Sequence, residues 1–117
     1  MKKIIQIIED EPSLSTPIQS ALEKAGYEVF VEATGDKAVD AVKLHKPSLV
    51  LLDIMLPGKT GWDIIEDIGK EYKVIIMSNL DTMDRKLDFM DKGALDYLVK
   101  SNISLAEILK KVKAVIG

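Results

Sequence analysis

Five short apolar runs punctuate the chain, and a segment of helical periodicity follows each one. The runs are Ile4–Ile8, Val29–Val31, Leu49–Leu52, Val74–Met77 and Leu95–Val99. Those at 4–8, 49–52 and 74–77 are nearly continuous in Ile, Val and Leu. That is how a strand covered on both faces reads, whereas strict alternation marks a strand with one wet face. Val29–Val31 is short and flanked by Glu28 and Glu32, which suits an edge strand.

Between the runs, Leu14, Ile18, Ala21, Leu22 and Ala25 fall at i, i+4, i+7, i+8 and i+11 and predict a helix stopped by Gly26. Weaker helical patterns span Asp36–His45, Trp62–Glu71 and Met83–Lys92, the last closed by Gly93. Leu105, Ile108, Leu109, Val112, Val115 and Ile116 form a final apolar stripe, opened by the capping box Ser104-x-x-Glu107. Thr60-x-x-Asp63 reads as a second capping box. Strand and helix alternate five times over short connections. With right-handed crossovers this predicts an α/β fold, a parallel sheet covered by helices on both faces. The length of 117 residues suits one domain over 1–117, and no linker, repeat or low-complexity tract divides it.

Composition removes several function classes. A net charge of −3 without a basic stripe argues against direct nucleic-acid binding. There is no cysteine, which excludes disulfides, thiolate catalysis and Cys-based zinc sites and fits a cytoplasmic location. The first apolar stretch meets Glu9 after five residues, too short for a secretory signal, and no run approaches the ~18 apolar residues of a membrane span. The expectation is a soluble, unprocessed chain with no membrane partner.

In parallel sheets of this kind, ligands bind beyond the carboxyl ends of the strands. The residues there are Glu9, Asp10 and Glu11 after the first run, Asp53 after the third, Ser78 and Asn79 after the fourth, and Lys100 after the fifth. If the first, third and fourth strands are neighbours, the acids converge on one rim. There they must take up protons, be solvated or hold a cation. Oxygen donors without His or Cys favour Mg²⁺. The plainer reading of Glu9-Asp10-Glu11 alone is a solvated helix start. The combination of a carboxylate, acidic ligands, a hydroxyl and a lysine on different strand ends suits phosphoryl transfer, in which positioning and cations do most of the catalysis. Asp53 would be the nucleophile, forming an acyl phosphate. Asp10 and Asp53 would hold Mg²⁺, while Lys100 adds a positive charge and Ser78 a hydrogen bond. No strong base is present, so the product should persist.

These residues resemble the receiver domain of two-component response regulators along the whole chain. The likeness rests on Ile7-Ile8-Glu9-Asp10-Glu11-Pro12, Leu51-Leu52-Asp53-Ile54-Met55-Leu56-Pro57-Gly58, Ile75-Ile76-Met77-Ser78 and Gly93-Ala94-Leu95-Asp96-Tyr97-Leu98-Val99-Lys100. It implies a flavodoxin-like (βα)5 fold with strand order 2-1-3-4-5, and Asp53 as phosphoacceptor. It implies Mg²⁺ held by Asp10 and Asp53, with Glu9 helping through water and the Met55 carbonyl as a further ligand. Ser78 and Tyr97 would be switch residues that remodel the face of the fourth helix, fifth strand and fifth helix. The implied partners are a sensor histidine kinase or histidine phosphotransfer protein and a downstream protein target. The state would be a monomer or a weak phosphorylation-dependent dimer, and no enzymatic turnover is expected beyond slow loss of its own phosphate.

Three positions depart from the family pattern. Glu9 replaces the usual Asp, Asn79 stands where Ala or Gly is common, and Ser101 replaces a proline joined by a cis peptide. Without proline a cis bond costs roughly 3–4 kcal/mol, so this loop must absorb strain or take a trans path. A receiver-like module that binds partners without phosphorylation is the alternative reading. A haloacid-dehalogenase-type phosphohydrolase needs an Asp where Met55 stands, and an FMN domain needs a Gly-rich loop where Glu9-Asp10-Glu11 would repel phosphate. Trp62 reads as a packing anchor, His45 as a cation suited to a helix C-terminus, Pro57-Gly58 as a turn, and Lys110, Lys111 and Lys113 as a solvated helix face.

Overall fold

Each apolar run becomes a strand in the computed structural model, which describes residues 2–79 and 83–117. The strands are β1 (Ile4–Ile8), β2 (Glu28–Glu32), β3 (Leu49–Asp53), β4 (Val74–Ser78) and β5 (Ala94–Val99). The helices are α1 (Pro12–Lys24), α2 (Gly35–His45), α3 (Gly61–Ile68), α4 (Met83–Asp91) and α5 (Leu105–Ile116). All pairings are parallel and the sheet order is β2-β1-β3-β4-β5, as the resemblance implied.

The continuous runs are continuous because both faces are buried. Ile5, Ile7, Leu49, Leu51, Ile75, Met77 and Leu98 pack with Ile18 and Leu22 of α1 and Ile108, Val112 and Ile116 of α5. Ile8, Val50, Leu52, Ile76 and Tyr97 pack the other way, against Ala38 and Val42 of α2, Ile64, Ile65 and Ile68 of α3 and Phe89 of α4. Both predicted capping boxes are formed, at Thr60/Asp63 and Ser104/Glu107. No helix among the described residues is long and apolar enough to cross a membrane.

One expectation needs correction and another is extended. The helix predicted over Trp62–Glu71 ends at Ile68. A Cβ on Gly69 would collide with the Lys92 carbonyl oxygen, and one on Gly93 with the Gly69 carbonyl, so two backbones meet where the helix would have continued. His45 ends α2 as expected, but it does more than face a dipole. Its ring stacks on Phe30 at 3.8 Å, and Nδ1 lies 2.7 Å from Oε1 of Gln6, a fully buried residue of β1. The Gln6 amide nitrogen already donates to the Ile7 and Phe30 carbonyls, each at 3.2 Å, so its oxygen accepts from Nδ1–H of the imidazole.

Candidate metal centre

Because β1, β3, β4 and β5 lie side by side and run the same way, the residues at their carboxyl ends share one rim. Glu9 follows β1 and is 1% exposed; Asp53 ends β3 and is 3% exposed. Asp10 lies in the open at the approach to α1. One oxygen from each of Glu9, Asp10 and Asp53 lies within 4.8 Å of the others. Lys100 reaches in from the end of β5, with Nζ 2.5 Å from Glu9 Oε1 and 3.2 Å from Asp53 Oδ2. Backbone donors complete the set: Glu11 N–H donates to Glu9 Oε2 at 3.3 Å, and Met55 N–H to Asp53 Oδ1 at 3.2 Å.

The electrostatics follow from burial. Taking Glu9 out of water, with Asp53 beside it, pushes its pKa up to about 7 against the pull of Lys100. Burial works against the charge on Lys100, but the hydrogen bond to Glu9 and the charge of Asp53 raise its pKa above the usual lysine value, so the ammonium persists. Lys100 thus meets two buried carboxylates while the exposed Asp10 carboxylate lies beside them, leaving an excess of acidic groups for a cation to neutralise. The donors are all oxygen, with no imidazole or thiolate among them, which fits a hard divalent ion such as Mg²⁺.

The remaining predicted residues take definite places. Ser78 closes β4, fully buried and in register with Val99, next to Lys100. Tyr97 is buried in β5, its ring 6.1 Å from that of Phe89, which in turn meets Trp62 edge-on at 5.2 Å. Trp62 is thus the packing anchor expected, with Lys92 Nζ 5.3 Å from its ring centre. The Met55 side chain stands 68% exposed beside the site, and Asn79 is exposed after β4. No cis peptide occurs among the described residues, so Ser101 takes the trans path, in a single 3₁₀ turn over Lys100–Asn102.

A feature the sequence did not announce is a small groove lined by Leu14, Pro17, Ile18, Ile103, Leu105 and Ile108, which opens directly onto Glu9 and Lys100. It joins segments some ninety residues apart in sequence.

The geometry has counterparts. The response regulator receiver domain family matches residues 5–113. The BeF₃-activated N-terminal receiver domain of RstA from Klebsiella pneumoniae is 33% identical over 96% of this chain and 97% of its own, with a TM-score of 0.89. A CheY-like response regulator receiver domain protein from Methanospirillum hungatei is 26% identical over 97% and 93%, with a TM-score of 0.90. Chemotaxis protein CheY4 of Vibrio cholerae, 21% identical over 99% and 100%, shares the fold with a TM-score of 0.90.

Proposed function

The chain belongs to the response regulator receiver domain family of two-component signalling, and on that premise we propose that it is a phosphorylation switch whose acceptor is Asp53. The observation that carries this reading is the meeting of Glu9, Asp10 and Asp53 within 4.8 Å, with Lys100 Nζ against two of them. An Asp53 carboxylate oxygen forms the bond to phosphorus. The P–N bond of a phosphohistidine donor breaks, and its electron pair returns to the imidazole. Asp10 and Asp53 are the residues to hold Mg²⁺, with Glu9 and the Met55 carbonyl beside them, and the ion supplies neutralisation of the charge shared by carboxylates and phosphoryl oxygens. Lys100 contributes the second positive charge, and the Ser78 hydroxyl donates to a phosphoryl oxygen. Among the described residues nothing at the rim is a strong base for hydrolysis, so the acyl phosphate outlasts the transfer. Tyr97, packed through Phe89 onto α4, couples the acceptor to the α4–β5–α5 face that a protein target reads. The donor is a sensor histidine kinase or a histidine phosphotransfer protein.

Incubation with Mg²⁺ and acetyl phosphate, followed by intact-mass measurement, tests this. One phosphoryl group should add to the wild type and none to Asp53→Ala. No gain, or a gain that survives Asp53→Ala, would favour an interaction module that phosphate does not control.

A further inference from the structure

Lys100 opens a 3₁₀ turn whose next residue, Ser101, is exposed, while its own side chain turns inward and is 9% exposed. A lysine stem is long and rotamer-rich, yet the ammonium here is fixed between two carboxylates. Those two are not equivalent. Asp53 gives up a carboxylate oxygen to the phosphoryl group, so its contact with Lys100 is not the same before and after transfer. Glu9 forms no bond to phosphorus, and both its oxygens are engaged: Oε2 accepts from Glu11 N–H where α1 begins, and Oε1 meets Lys100 Nζ. The side chain is a brace between the β1–α1 backbone and the ammonium. An aspartate at this position, one methylene shorter, would not span both.

We propose that Glu9 is the positioning residue for Lys100, so that its contribution to phosphoryl transfer runs through the lysine and not chiefly through the metal. The proposal rests on the phosphoacceptor reading and deepens it.

A double-mutant cycle of Glu9→Asp and Lys100→Met at saturating Mg²⁺ tests it. Glu9→Asp retains a carboxylate for the cation, so calorimetric Mg²⁺ affinity should change less than about threefold. The limiting rate of phosphorylation by acetyl phosphate should fall about tenfold, the loss expected for one charge-assisted hydrogen bond. In the Lys100→Met background the same change at position 9 should have no further effect. An equal loss in both backgrounds, or weakened Mg²⁺ binding with an unchanged limiting rate, overturns the proposal. A second readout does not depend on activity. The Lys100 ammonium should give a resolved ¹H–¹⁵N NMR signal in the metal-free wild type and lose it in Glu9→Asp, while the amide spectrum stays folded. Persistence of that signal in Glu9→Asp overturns the proposal even where Lys100→Met is too slow to complete the cycle. A wild type that gains no phosphoryl mass refutes the acceptor reading instead, and the ammonium signal still decides on Glu9.

Discussion

Replacing Lys100 with methionine should destabilise the metal-free protein by an amount that depends on pH and on Mg²⁺. The lysine side chain is 9% exposed, and the Glu9 and Asp53 side chains that it meets are 0% and 5% exposed. Methionine matches most of the apolar stem, so lost packing contributes little. What remains is a pair of buried carboxylates without their counter-ion, and removing one partner of a buried ion pair costs about 3–5 kcal/mol. Glu9 relieves part of this by taking a proton. Its folded pKa, already about 7 with Lys100 pulling it down, rises further once the ammonium is gone. A raised carboxyl pKa means that the folded state holds more protons than the unfolded one between the two values. Its stabilising effect is therefore complete below the unfolded value and lost as pH rises through the folded value. The loss caused by Lys100→Met should be near 3 kcal/mol at pH 8 and smaller by roughly 1–2 kcal/mol at pH 6. Saturating Mg²⁺ should restore about 3 kcal/mol at a hundredfold excess over its dissociation constant. Urea unfolding followed by circular dichroism, with chelator or with Mg²⁺, reads all of these. A loss below about 1 kcal/mol at pH 8, or one indifferent to both pH and Mg²⁺, would refute the view of Lys100 as counter-ion to this site.

Gln6→Leu strands the His45 Nδ1 donor and should cost about 1–3 kcal/mol in urea unfolding, and His45→Leu in the same chain should recover part of that. Gly35→Ala drives a Cβ into the Lys59 carbonyl and breaks the fit of α2 to the loop after β3, where Gly35 N–H donates to the Pro57 carbonyl at 2.9 Å. It should cost about 1–3 kcal/mol and weaken Mg²⁺ binding, as read by calorimetry. Asp96 is partly buried, but Lys111 at 2.8 Å and the Tyr97 N–H at 2.8 Å hold its pKa below the usual aspartate value. Its stabilisation is thus present above the unfolded pKa and lost as pH falls through the lowered folded one. Both side chains are partly solvated, so Asp96→Asn should cost no more than about 1 kcal/mol at pH 7, and the gap from wild type should close on acidification.

The strands were legible because a run such as Leu49–Leu52 has no dry and wet faces to alternate between, and the helix starts were legible because Thr60 and Ser104 each carry an acid three residues on. The rim was legible because residues that follow parallel strands must converge once the strands are neighbours. That adjacency came from the family resemblance and not from the runs themselves. What stayed hidden depends on contacts distant in sequence. The end of α3 is set by Gly69 against Lys92 and Gly93, and the role of Gln6 by a histidine 39 residues away. The brace at Glu9 belongs here too, because a glutamate after a strand reads the same whether it faces metal, water or the lysine at the far end of the sheet. Ser101 signalled only that the loop must either strain or go trans, and it goes trans.

Mn²⁺ in place of Mg²⁺ offers the most direct measurement of the shared site, since its unpaired electrons broaden the NMR signals of nearby nuclei. Added in substoichiometric amounts, it should erase the amides around Glu9–Glu11 and Asp53–Met55 together, and Asp53→Ala should abolish the effect at both segments. Broadening confined to one of them, or scattered over exposed acids such as Asp36 and Glu71 and unchanged in Asp53→Ala, would show that these carboxylates do not share an ion.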